Sequence, residues 1–329
     1  DHDRSPTRHA QSSGFGGMLA SRRDLLSQML DLLRLQGELV FSADLNHPWG
    51  LRFEPGPAYF FVVLEGKLIA QVGHDLPVEA IAGDLIMLPR GVGHMLSDGS
   101  DATPADASDL MEEQFTMERL GLRHGGNGEK TKLLAGAFRF ESTTVPWVSS
   151  ALPGVIHIEK SGGQTGGWLE GLAHFMMVEA QTVHPGSSVM ISRLIDVLII
   201  RVIRTWAQTK NPGDTGWMGA LADPRISRAL KAIHEEPFRR WSVADLASAV
   251  GMSRSAFAER FSLLVKEAPL SYQNRWRLTL AHGLLRQANS RVSDVARQVG
   301  YDSESAFSRA FKAQFGVPPV DVRSADLGS

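Results

Sequence analysis

The stretch Asp245-Leu246-Ala247-Ser248-Ala249-Val250-Gly251 returns 49 residues later as Asp294-Val295-Ala296-Arg297-Gln298-Val299-Gly300. The echo continues past each glycine, where Ala256, Phe257 and Phe261 are matched by Ala306, Phe307 and Phe311 at an offset of 50. Each copy predicts a short helix, a turn made at the glycine, and a second helix whose phenylalanines, four apart, share one buried face. A supersecondary unit written twice is an internal repeat, so the chain carries two helix-turn-helix units. Capping signals mark the helix starts: Ser242 precedes Asp245 by three residues, and Ser253 and Ser303 stand where the second helix of each unit begins. Between the units Tyr272, Trp276, Leu280 and Leu284 recur every four residues, predicting one connecting helix over 271–287. At 1.5 Å per residue that helix is about 25 Å long, which suits two probes entering major-groove faces ~34 Å apart.

The rest of the chain is different in kind. The whole chain's 329 residues are enough for two domains, and 43% hydrophobic with 21% charged residues is a globular composition rather than a disordered one. There is no cysteine, which excludes a disulfide framework, a thiolate-held metal or iron–sulfur site, and a cysteine nucleophile. The formal charge of −2 conceals an asymmetry: residues 221–329 carry a net +5 and residues 1–220 a net −7. A basic tail on an acidic body points to a polyanion partner for the tail. The most apolar window, Val189 to Trp206, is interrupted by Arg193, Asp196, Arg201 and Arg204, so it reads as an amphipathic helix and not a membrane span. The expected organisation is a flexible lead-in over 1–20, a first domain over 21–210, a linker over 211–220, and the double helix-turn-helix domain over 221–329. The stretch 98–113 reads as a mobile acidic loop, and a cytoplasmic location is expected.

After a helix expected over 21–35, the first domain shows short apolar runs at 38–41, 49–53, 58–64, 67–72, 84–88 and 133–140, separated by glycine turns. That spacing predicts an antiparallel sandwich or barrel. Helices follow at 168–179 and 187–206. Gly83, Pro89, Gly91 and His94 stand at G-x5-P-x-G-x2-H spacing, which resembles the second motif of the cupin family of small β barrels. In metal-binding cupins that histidine is a ligand. The first motif would bring a His-x-His pair, but Tyr59-Phe60-Phe61-Val62-Val63-Leu64-Glu65-Gly66 stands in its place, so no metal and no cofactor is expected. The expected effector pocket is Trp49, Phe53, Tyr59, Phe61, Met87 and His94, a surface for a small, partly apolar ligand. The same alternating residues fit core packing, and His94 fits a buried histidine as well as a ligand-facing one. His124, beside Gly125 and Gly126, reads as a loop residue.

In the second domain, Trp241 to Ala247, Gly251 to Ser255, Arg275 to Leu278, Val299 to Tyr301, Phe307 to Lys312 and Phe315 to Pro319 resemble the DNA-binding domain of the AraC/XylS transcription regulators. The runs Pro48 to Phe53 and Gly83 to His94 resemble the cupin-type sensing domain that many of these regulators carry first. The departures are the missing metal ligands and Val320-Asp321-Val322, where an aromatic is common. The resemblance implies an α+β chain: a cupin-like β barrel with flanking helices, then an all-α domain of two helix-turn-helix units on a long helix.

In such units the second helix enters the major groove. With the phenylalanines inward, 100° per residue turns Ser255, Ala258 and Glu259 outward in the first unit, and Ser305, Ser308 and Arg309 in the second. Arg254 and Glu304 reach the groove from the first helical turn. These eight are the expected base readers, Arg309 foremost, because a guanidinium binds guanine O6 and N7 together. Glu259 and Glu304 fit either cytosine N4 or plain solvation. Ser253, Arg275, Arg291, Ser303 and Lys312 are the expected phosphate contacts, whereas Arg260 and Arg297 fit structural ion pairs equally well. The expected partners are a double-stranded DNA operator, a small-molecule effector, and a second copy of the chain docked through the helix 187–206. The competing reading is a cupin-type metalloenzyme with an attached nucleic-acid-binding module.

Overall fold

The computed structural model describes residues 35–116, 120–140, 152–160, 167–181, 184–209, 217–286 and 290–325. The lead-in over 1–20, residues 21–34 of the first expected helix, and residues 211–216 of the linker lie outside the described residues. Leu35, expected to end that helix, opens a strand, and residues 217–220 of the expected linker are helical.

Eleven described strands form two sheets. They are β1 (Leu35–Asn46), β2 (Gly50–Phe53), β3 (Ala58–Glu65), β4 (Lys67–Val72), β5 (Val78–Ile81), β6 (Leu85–Leu88), β7 (His94–Ser97), β8 (Ala105–Asp106), β9 (Gly121–Gly125), β10 (Lys130–Phe140) and β11 (Ile156–Ile158). One sheet runs β11-β6-β3-β10-β1-β9 and the other β5-β4-β7-β2-β8. The expected barrel is thus a cupin-type sandwich of two facing sheets. Residue parity sorts its sides. Phe41, Ala43, Leu45, Phe61, Val63, Ile86, Leu88, Leu133 and Ala135 point inward and meet Leu51, Phe53, Leu68, Ala70 and Leu96 of the smaller sheet. The alternate set, Val40, Phe60, Val62, Leu85, Met87, Leu134 and Phe138, points outward. Burial on both faces explains why these strands read as unbroken apolar runs. Gly136 is needed for this layer: a Cβ there would lie 2.3 Å from the Phe60 ring.

The acidic loop expected over 98–113 is largely ordered structure. Asp98 is buried, bonded to His47 at 2.8 Å and accepting from the Trp49 and Ser100 N–H groups at 3.1 and 2.9 Å. Asp106 caps α1 (Ala107–Gln114) by accepting from the Ser108 N–H at 2.9 Å. His124 lies on β9, paired in parallel with β1, not in a loop.

Helices α2 (Trp168–Gln181) and α3 (Ser187–Gln208) lie over the outer face of the larger sheet, where Leu169, Ala173, Met176, Ile195, Leu198, Ile199, Val202 and Ile203 join its buried cluster. The same cluster continues through Ala220 on α4 (Trp217–Ala222) and Ile226, Leu230 and Ile233 on α5 (Pro224–Glu235) into the first helix-turn-helix unit. That unit is α6 (Val243–Ala249) and α7 (Arg254–Val265). The connecting helix α8 (Pro269–Leu285) leads to the second unit, α9 (Val292–Gln298) and α10 (Glu304–Phe315), and α11 (Pro319–Ala325) closes the domain. Gly251 and Gly300 make the two turns with φ of 67° and 85°, a left-handed conformation that costs glycine nothing and a larger residue roughly 1–2 kcal/mol.

The seam of α8 departs from its four-residue reading. Tyr272 and Trp276 are buried against unit one, but Leu280 and Leu284 are only half buried, and Leu278, Ala281 and Leu285 carry the contact with unit two. At about 100° per residue, Leu278, Ala281 and Leu285 lie roughly halfway around the helix from Trp276, so α8 buries one face against unit one and the opposite face against unit two. Val322, one of the residues standing where an aromatic is common, is buried in the unit-two core.

Candidate functional site

The two second helices begin in the same way. The Ser253 hydroxyl accepts from the Ala256 N–H at 3.3 Å, and the Ser303 hydroxyl accepts from the Ala306 N–H at 3.2 Å. Each serine also lies against the one two residues on, Ser255 at 3.5 Å and Ser305 at 3.2 Å. A serine cap satisfies one orphan N–H and contributes about 1 kcal/mol to the helix start. Phe257 and Phe261 on α7, and Phe307 and Phe311 on α10, are fully buried with ring centroids 5.6 and 5.5 Å apart. With that face sealed, Arg254, Ser255 and Glu259 are exposed on α7, and Glu304, Ser305, Arg309 and Lys312 on α10, with Ala258 and Ser308 half buried at the rim. Each helix therefore gathers its expected readers on one outward face. Arg291 is exposed at the start of α9.

Arg275 does not join the expected phosphate contacts. Its side chain is 17% exposed, hydrogen bonded to Glu267, and its guanidinium carbon lies 5.4 Å from the Tyr272 ring centre. Half-buried charge of this kind is held by its carboxylate, and breaking the pair to reach a phosphate would cost more than an exposed lysine pays. Arg260 settles as a structural residue, bound to Asp223 beneath α7. Burial alone would raise the Asp223 pKa, but N–H groups of Ile226 and Arg225 and the Arg260 guanidinium hold it below the ordinary carboxylate value. Arg297 lies 3.9 Å from Asp294 on the surface.

Other residues set how the units sit on each other. Arg240, ahead of α6, donates to the Gly300 carbonyl at 2.7 Å and to Asp302 at 2.6 Å in the turn of unit two. The Tyr301 hydroxyl donates to Asn274 of α8 at 2.7 Å. No local pattern announces these bonds, which join residues 60 or more positions apart in the case of Arg240. Asp223 did carry a signal, because an acidic cap followed by Pro224 at the first helical position starts a helix.

In the sandwich, the expected pocket residues divide. His94 is 4% exposed and stacks on Phe53 at 4.6 Å, with Tyr59 and Phe61 edge-on at 5.6 and 5.9 Å. Trp49 belongs to the same interior cluster. Met87 does not: it pairs with Phe60 on the opposite face of the sheet, under the helices, so strand parity removes it from the pocket. Burial lowers the His94 pKa from 6.5 to about 4, so the ring is neutral near pH 7. Its Nδ1 lies 3.1 Å from the Val92 carbonyl, while its buried Nε2 has no hydrogen-bond partner among the described residues. A lone imidazole walled by Phe53, Tyr59 and Phe61 does not fit a metal centre, which needs about three ligands. Among the described residues, no three His, Asp or Glu side chains gather for one.

Comparison with known proteins agrees with this layout. A cupin family model matches residues 24–208, and a helix-turn-helix domain model matches residues 246–325. A putative AraC-like transcription regulator of Streptomyces lividans is 32% identical over 91% of this chain and 98% of its own length. The HTH-type transcriptional regulator AlkR of Acinetobacter baylyi is 31% identical over 91% and 99%. Among solved structures, the DNA-binding domain of AdpA in complex with a target DNA is 31% identical over 31% of this chain and 92% of that one, with a TM-score of 0.30. By its sequence relatives and its paired domains, the chain belongs to the AraC-like transcription regulators, a cupin domain followed by two helix-turn-helix units.

Proposed function

We propose that the protein reads an operator with α7 and α10 in neighbouring major-groove faces, and that a small molecule bound by the cupin domain alters how a dimer presents those helices. The supporting observation is the matched pair of serine-capped helices, each with a sealed phenylalanine face and an exposed polar one. Arg254, Ser255, Ala258, Glu259, Glu304, Ser305, Ser308 and Arg309 face bases; Ser253, Ser303, Arg291 and Lys312 face phosphates. The dimer forms through α3, where Val189, Met190, Val197 and Ile200 are exposed although the opposite side of the helix is buried. Apolar groups standing out at this spacing form a stripe suited to a second helix. The protein acts in the cytoplasm on the nucleoid and catalyses no reaction. No helix among the described residues is long and apolar enough to cross a membrane.

The test is a selection of duplexes from a random pool by the full chain, followed by titration of variants. Arg309→Ala should weaken the selected duplex by about 1–3 kcal/mol and relax one base position, whereas Lys312→Ala should weaken selected and random duplexes alike and flatten the salt dependence. Equal losses on both duplexes for Arg309→Ala would remove it from the readers.

A further inference from the structure

A cleft of about 380 Å³ opens on the outer side of the larger sheet, away from the aromatic interior around His94. Its floor follows from strand register. Ser42 and Asp44 on β1 stand directly opposite Leu134 and Lys132 on β10, and all four line the cleft. The last turns of α2 form the roof with Met177, Ala180 and Gln181. Leu120 closes one side, held there because its carbonyl accepts the Ser42 N–H at 3.1 Å.

The charges in this cleft are unequally used. Asp44 is paired with Lys130 at 3.2 Å, although its direct cross-strand neighbour is Lys132. Lys132 is half buried, and no carboxylate among the described residues is paired with it. Lys132 shares the cleft with the Ser42 hydroxyl, the Gln181 amide and the apolar surface of Leu134 and Met177, while its register neighbour on β3 is Glu65. The volume is in the range of small-molecule sites, and the lining is mixed, with polar surface slightly exceeding apolar.

We propose that this cleft binds an amphipathic organic anion, its carboxylate or sulfonate on Lys132 and its apolar body between the sheet and α2. This rests on the reading of the cupin domain as the sensing half, and it places the effector on the outer face rather than in the sandwich interior. A ligand wedged beneath the end of α2 acts on α3, because the two helices pack together and on β1. Such a ligand therefore bears directly on the exposed stripe of α3.

The test uses the full chain and two dyes, 8-anilinonaphthalene-1-sulfonate and its neutral relative N-phenyl-1-naphthylamine. The anionic dye should bind one per chain. Lys132→Met should weaken it about tenfold while leaving the neutral dye within about twofold, and Lys132→Arg should restore the anionic dye. Ala180→Trp, which fills the roof, should remove both. An unchanged affinity of the anionic dye in Lys132→Met overturns the proposal. So does an unchanged affinity in Ala180→Trp, which would put the dye on the α3 stripe. Duplex binding by the same variants, each with an unaltered thermal transition, separates the two readings. Its persistence with the dye result failing removes the cleft alone, and its absence in the unaltered chain removes the DNA-reading function instead.

Discussion

The two helix-turn-helix units share a plan and differ in what holds them and in what they show. Unit one is part of the largest buried cluster among the described residues, continuous with α5 and the sandwich helices through Ile233, Leu246, Phe261 and Trp276. Unit two has a small core of its own, built on Leu278, Ala281, Phe307 and Phe311. Their outward faces exchange charge. At the first helical position unit one has Arg254 and unit two Glu304; five residues on, unit one has Glu259 and unit two Arg309. An acid at a helix start is stabilised by the helix dipole and a base is opposed by it, each by about 0.3–1 kcal/mol. Glu304 thus has a structural reason to be where it is, whereas Arg254 stands against local stability. Repeating a fold with its charges inverted gives two helices whose outward faces differ in charge, which under the proposed function makes them two different probes of the DNA.

The largest effect that could break this comparison is in the cores. Phe261→Ala and Phe311→Ala should each cost about 3–5 kcal/mol, but at different scope. Hydrogen exchange should show Phe311→Ala releasing the amides of α9, α10, α11 and the end of α8, which share its core, while Phe261→Ala loosens α5, α6 and α7 together. One shared pattern for both variants would mean that the units are not independently held.

Next in size is acid sensitivity, centred on the cluster that holds unit one, where α5 meets α8. His234 is buried, bonded to the Tyr272 hydroxyl at 2.8 Å and 3.7 Å from the Trp276 ring centre. Burial lowers its pKa from 6.5 to about 3. Above pH 6.5 the ring is neutral in both folded and unfolded chains, so its contribution is constant. Between 6.5 and about 3 only the unfolded chain takes the proton, so stability falls with falling pH by about 1.4 kcal/mol per unit. His94 adds the same sign in the sandwich, between 6.5 and about 4. Urea unfolding at about pH 7.5 and about pH 5 should show this loss, and His234→Gln should reduce it. A loss of the same size in His234→Gln would clear His234 of the effect.

The smallest expected effect concerns the bond between the units. Arg240 is exposed, so Arg240→Ala should change stability by no more than about 1 kcal/mol, yet it removes the bonds to Gly300 and Asp302. Binding to a duplex with both half-sites should weaken, while binding to a single half-site should not. Equal effects on both would assign Arg240 to phosphate contact.

Much of this was legible in the residues. The repeat marked the second helix of each unit and its cap, because helix starts are local chemistry. The sandwich strands can be placed from the residues, but Met87 reads onto the inner face when it lies on the outer one, since a run apolar at every position hides its parity until its neighbours are paired. Arg275 looked like a phosphate contact because a lone arginine carries no mark of the carboxylate, Glu267, that folding brings to it. By composition the acidic stretch at 98–113 reads as a loop, whereas Asp98 and Asp106 are turn and cap acceptors. The outer cleft was invisible because it joins β1, β10 and α2, which are far apart in the chain.

The measurement closest to the central claim is methylation protection of a selected operator by the full chain and by Arg309→Ala. Two tracts of protected guanines about one helical turn apart on one face of the duplex are expected, with the α10 tract lost in the variant and the α7 tract kept. A single protected tract in the unaltered chain, or two tracts on opposite faces, would contradict a protein that reads DNA with both helices at once.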